Sequence, residues 1–181
     1  KSKLDENTEQ LMRLSSKRKH NSSDSKVKSS TTEPIETESF NPLEGLTIEQ
    51  MKEKINTERL TQITIPSSVT SIGSEAFSEC DSLTQITIPS SVTSIGEKAF
   101  KFCSSLTQIT IPSSVTSIGQ SAISSCEALE KIFVDSKNPK YVSIDDCLFT
   151  KDFKALICYA CKNKRTVYTI PSSVTSIENE A

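Results

Sequence analysis

The chain has 181 residues, a formal net charge of -2 and no Trp. That near-neutral balance offers no field to draw nucleic acid or an anionic membrane. No apolar run approaches the roughly 18 to 20 residues that span a bilayer, and the length suits one domain with an appendage.

Residues 1–45 are rich in Ser, Thr, Lys and Glu and poor in apolar residues. A segment of this kind buries too little apolar surface to offset its ordering entropy, so a disordered tail is expected. Room remains for a short helix around Leu4 to Leu14. Lys17, Arg18 and Lys19 form a basic run, with Lys26 and Lys28 close by. Solvated charge and a nuclear-localisation patch are both open readings of it. Phosphate on Ser15, Ser16, Ser22, Ser23 or Ser25 would reverse the local charge. Asn21-Ser22-Ser23 is a glycosylation sequon, relevant in a secreted chain.

Residues 46–60 carry a helix signal. Thr47-Ile48-Glu49-Gln50 has the form of a capping box, with Thr at the N-cap and Gln at N3. The helix that follows places Ile48, Met51 and Ile55 on one face. It is expected to cover the open end of whatever core follows.

Residues 61–129 decide the architecture. Three consecutive blocks begin at Thr61, Thr84 and Thr107 and read T-Q-I-T-I-P-S-S-V-T-S-I-G-x-x-A-[FI]-x-x-C-x-[SA]-L, with a period of 23 residues. Pro66, Pro89 and Pro112 keep that period, as do Gly73, Gly96 and Gly119. Within each block the run exemplified by Leu83 to Ile88 alternates apolar and polar residues, as a half-buried strand does. Pro89 ends the strand, because it lacks an N–H for the ladder. Val92 and Ile95 return to the core, and Gly96 is expected to let the chain turn. Glu97 to Cys103 is expected to make one or two helical turns that bury Ala99, Phe100 and Cys103. One unit cannot bury its apolar side alone, whereas stacked units share a continuous core.

Residues 130–170 form a longer fourth unit. Leu129 to Val134 fits the strand register, but Asp135 stands at the proline position, and the next I-P-S-S-V-T-S-I run is Ile170 to Ile177. The segment between them reads as three short strands, with turns at Asp145-Asp146 and Lys151-Asp152. Residues 171–181 begin a further unit. The chain starts at Lys1 rather than Met and stops inside the pattern, so it reads as a piece of a longer protein. A missing signal peptide therefore carries little weight.

The pattern L-x-x-I-x-I-P-x-S-V-x-x-I-G-x-x-A-F-x-x-C-x-x-L resembles the BspA-like, or treponemal-type, leucine-rich repeat over about residues 60 to 181. N-P-x-Y-x-x-I-D at Asn138 to Asp145, L-F-x-K-D at Leu148 to Asp152 and A-L-I-x-Y at Ala155 to Tyr159 resemble that family's hairpin insert. Cys147 and Ala160 depart from it, standing where a small apolar residue and a Pro are usual. The resemblance implies an α/β solenoid, with parallel strands on one face, short helical turns on the other and a β-hairpin insert. Family members occur in bacterial surface proteins and are expanded in some anaerobic parasitic protozoa. The resemblance thus implies a recognition or adhesion role.

Chemistry is sparse. Cys80, Cys103 and Cys126 recur at one repeat position and should stack as buried thiols, which behave as small hydrophobes. Cys158-x-x-Cys161, with Cys147 nearby, reads first as structure. Zinc would need four ligands and the sole histidine, His20, lies in the tail; a redox role is the rival. No nucleophile–base pair and no phosphate-binding glycine loop is present, so neither an enzyme nor a cofactor or metal site is expected.

A partner is expected on the strand face, which presents Thr61, Gln62 and Thr64, then Thr84, Gln85 and Thr87, then Thr107, Gln108 and Thr110. Glu130, Lys131 and Phe133 follow on the fourth strand. The variable positions, such as Ser74/Glu97/Gln120 and Glu79/Phe102/Ser125, fall on the opposite side. Recognition of a protein or glycan partner at a cell surface is the leading reading. An intracellular or nuclear scaffold with a basic, phosphorylatable tail is the alternative.

Overall fold

The computed structural model describes residues 41–162 and 166–181. It opens on helix α1 (Ile48–Glu58), whose N-cap Thr47 accepts from the Gln50 N–H while the Gln50 side chain accepts from the Thr47 N–H. Met51 and Ile55 are buried against the first rung. Residues 41–45, placed above in the disordered tail, instead form a turn that belongs to this cap. Asn41 Oδ1 accepts from Leu43 N–H, and Leu43 is 1% exposed. A single buried leucine in a polar stretch gives no periodicity, so local composition missed it.

The repeats build two parallel sheets. The longer one orders β1 (Gln62–Thr64), β3 (Gln85–Thr87), β5 (Gln108–Ile111) and β7 (Lys131–Val134) side by side. The register is one rung per repeat: Gln62 faces Gln85, Gln85 faces Gln108, and Gln108 faces Lys131. Ile63, Ile86, Ile109 and Ile132 point inward, and their neighbours point outward, Gln and Thr in the first three rungs and Lys131 and Phe133 in the fourth. A shorter sheet orders β2 (Ser71–Ile72), β4 (Ser94–Ile95) and β6 (Ser117–Ile118). Val92, Ala99, Phe100, Cys103 and Leu106 are each 0% exposed, and Phe77 and Phe100 stack with centroids 5.7 Å apart. The stacked repeats thus form a solenoid sharing one continuous core, and Cys147, Phe149 and Leu156 of the insert form a second, smaller cluster.

The third side of each rung is not helical. Residues Ser74 to Glu79, Glu97 to Phe102 and Gln120 to Ser125 are turns, and Glu75, Lys98 and Ser121, like Glu79, Phe102 and Ser125, have φ of 53–62°. The reason lies in where the amides go. Alternate N–H groups donate to the next rung, Phe77 to Ala99 O and Phe100 to Ala122 O at 2.8 Å, so they cannot serve an i−4 bond. The residues between them close local turns, as Ser78 N does on Glu75 O at 3.1 Å. Stacking therefore takes half the donors a helix would need.

Ser and Thr dominate the sequence for a related reason. Thr84 and Thr107 hydroxyls donate to Thr61 O and Thr84 O, and Ser91 and Ser114 to Val69 O and Val92 O, each reaching back one rung. Glycine is used differently from the turn role expected for Gly96. Gly73, Gly96 and Gly119 lack left-handed φ, but a Cβ on Gly96 would lie 2.5 Å from Gly73 C, and one on Gly119 2.4 Å from Glu97 N. The glycines let successive backbones approach closely.

In the fourth unit Asp135 supplies the N–H a proline lacks, donating to Ile111 O at 3.0 Å. Asn138, 2% exposed, then replaces the ladder serine. Its Nδ2 donates to Pro112 O and Val115 O, and its Oδ1 accepts from Lys140 N–H and Tyr141 N–H. The insert follows as β8 (Tyr141–Ile144), β9 (Cys147–Thr150) and β10 (Ala155–Tyr159), antiparallel in sequence, with β10 paired in parallel to β11 (Ser176–Ile177). Asp145 and Asp146, both at positive φ, make the tight turn between β8 and β9. With the insert in place, the turn of the fifth unit meets those of the second and third. Ser121 Oγ donates to Asn179 O, and Glu180 accepts from Lys101 Nζ and Ser124 Oγ.

Candidate functional site

The strand face places the expected contact residues in two columns. Gln62, Gln85, Gln108 and Lys131 form one, and Thr64, Thr87, Thr110 and Phe133 the other, with Thr110 directly opposite Phe133. All eight are exposed, and Phe133 is 45% exposed. Strands stand about 4.8 Å apart, so the four-stranded floor is about 14 Å from first to fourth strand. None of the six Gln and Thr side chains in these columns hydrogen-bonds to the protein among the described residues. The neighbouring Thr84 and Thr107 belong to the ladder, so their hydroxyls are committed to the preceding rung rather than offered to a partner.

Both ends of the floor are walled. At β1, Asn41 Nδ2 donates to Thr64 O at 3.0 Å, and Asn41, Pro42 and Leu43 enclose a groove of about 330 Å³ with Gln62, Thr64, Gln85 and Thr87. At β7, Ser143 Oγ donates to Ile132 O and Lys162 N–H to Leu129 O, so the insert covers the free edge. The strand columns were legible from alternation; the Asn41 wall was not, because nothing in a lone Asn-Pro-Leu points to a strand one rung away.

The thiols form a separate, buried column. Cys103 Sγ donates to Phe77 O at 3.1 Å and Cys126 Sγ to Phe100 O at 3.2 Å. Cys158 continues the series, with Sγ 3.9 Å from Ile123 O. The insert thus supplies the fourth thiol of the stack, so Cys158 belongs there rather than with its sequence neighbour Cys161, which is exposed. Burial pushes Cys80 up to about 11 and Cys126 and Cys158 up to about 12, and raises Cys103 as well. Protonated thiols of this kind are inert. Among the described residues no three His, Cys, Asp or Glu side chains cluster as metal ligands would, and no helix is long and apolar enough to cross a membrane. Lys17, Arg18, Lys19 and His20 lie outside the described residues.

The family described as BspA type leucine rich repeat region matches in six copies over residues 55–181. No curated protein matches the chain. Among solved structures, the chain is similar to the pneumococcal vaccine antigen PcpA, at 30% identity and TM-score 0.63, covering 66% of this chain and 30% of that one. It is also similar to a leucine rich cell surface protein from Faecalibacterium prausnitzii, at 40% identity and TM-score 0.61, covering 68% of this chain and 32% of that one. The chain therefore spans about a third of the length of these relatives.

Proposed function

The chain belongs to the BspA-type leucine-rich repeat family, and from that premise we propose that it is a non-catalytic recognition scaffold working at a cell surface. The observation that carries the reading is the strand face: six exposed side chains with no hydrogen-bond partner among the described residues, on a floor walled at both ends. Exposed polar groups without a structural task are free to meet a partner, and Phe133 offers an apolar anchor among them. Repeat solenoids commonly bind along such a face. The surface address is supported by similarity to a cell surface protein and a vaccine antigen.

Two measurements test the two parts. Antibody labelling of intact source cells should give signal before permeabilisation; signal appearing only afterwards would leave the intracellular or nuclear scaffold, the reading that free thiols and Lys17, Arg18 and Lys19 favour. Binding of the chain to immobilised proteins and glycans should fall when Phe133 and Lys131 are both changed to Ala. Undiminished binding by that double variant would remove the strand face from the reading.

A further inference from the structure

Resting on the recognition role proposed above, we infer that the walled strand face takes a neutral, hydroxyl-rich oligosaccharide laid across the strands. The chemistry of the floor selects the partner. Each Gln amide is both donor and acceptor, and each Thr hydroxyl is too. The two columns repeat this dual character at each of the first three rungs, at about 4.8 Å. A polyol matches it, because each of its hydroxyls also donates and accepts.

Other polymers fit less well. A peptide joins a sheet by its main chain at a free edge. Here Asn41 occupies the Thr64 carbonyl at one edge, and Ser143 and Lys162 occupy the Ile132 and Leu129 carbonyls at the other. A polyanion needs a column of cations to replace its counterions. The first three rungs present none, and the fourth adds only Lys131, beside Glu130. Phe133, opposite Thr110 in the last rung, supplies a flat apolar surface for the C–H face of a sugar ring. The walls at β1 and β7 limit the ligand to a short segment.

The probe is a length series of soluble, neutral hexose oligosaccharides, with a sulfated oligosaccharide of the same backbone and an unstructured Ser/Thr-rich peptide as comparisons. NMR follows the side-chain amides of Gln62, Gln85 and Gln108 and the ring of Phe133. The neutral series should move these signals, with affinity rising with length and then levelling once the chain reaches both walls. Changing Phe133 to Ala should weaken binding about fivefold, the worth of one aromatic contact. Gln85→Ala, exposed and without structural bonds, should weaken it without altering the fold. Signals that move only with the sulfated sugar or only with the peptide would overturn the neutral-glycan assignment and leave recognition by this face standing. Signals that move for none of the probes would overturn the assignment as well. Shifts confined to the turn side, around Phe102, would overturn both.

Discussion

Three glycines that are identical by sequence should respond in opposite ways to the same substitution. A Cβ at Gly96 would sit 2.5 Å from both Gly73 C and Ser74 N, and one at Gly119 would sit 2.4 Å from Glu97 N and 2.6 Å from Gly96 C. At Gly73 nothing lies within 4 Å. Carbon contacts are comfortable at roughly 3.5–4.0 Å, so Gly96→Ala demands that two rungs part by about 1 Å. Both obstructing atoms are backbone, which cannot swing aside. The same movement would stretch the 2.8 Å bond from Gly96 N–H to Ile72 O past useful length. Overpacking costs about 1–3 kcal/mol and a lost ladder bond about 1 kcal/mol. Reduced freedom of the unfolded chain offsets only about 0.4–1 kcal/mol. Gly96→Ala and Gly119→Ala should each lose about 2–3 kcal/mol, whereas Gly73→Ala should be neutral or stabilised by that offset. Urea unfolding followed by circular dichroism reads the difference directly. Equal midpoints for Gly73→Ala and Gly96→Ala would show that close backbone approach is not what holds glycine in this column.

Asn138→Ala strips two donors from Pro112 O and Val115 O and the acceptor for two amides, all at a site 2% exposed, and should cost about 3 kcal/mol in the same unfolding assay. Thiol labelling of the native chain should reach Cys161 quickly and Cys80, Cys103, Cys126 and Cys158 only on unfolding; fast reaction at Cys103 would break the buried column. The Glu180 carboxyl is held below its ordinary value by bonds from Lys101 Nζ and Ser124 Oγ. A depressed carboxyl pKa contributes stability that is present above about 4.5 and lost as pH falls through the lowered folded value. Carboxyl NMR titration should place Glu180 below the ordinary glutamate value, and Lys101→Ala should raise it toward that value.

The period of 23 residues, the proline at each strand end and the in–out alternation of Gln85, Ile86 and Thr87 were enough to read the solenoid and the exposure of its strand face. Those signals are local: the side-chain period of a strand and the donor missing from a proline are set within a few residues. Other features depended on what lies opposite in the next rung, 23 residues away. Glu97 to Cys103 looked helical because a local reading counts only its own residues, yet Phe100 and Phe102 give their N–H groups to Ala122 O and Ser124 O. Gly96 looked like a turn residue and Thr84 like a contact residue until stacking gave each a neighbour. Asn41 and Leu43 carried no pattern at all, and tertiary packing alone put them on the first strand. The repeat was written in the chain itself, whereas the partners of its hydrogen bonds and the space beside each backbone exist only once the rungs are stacked.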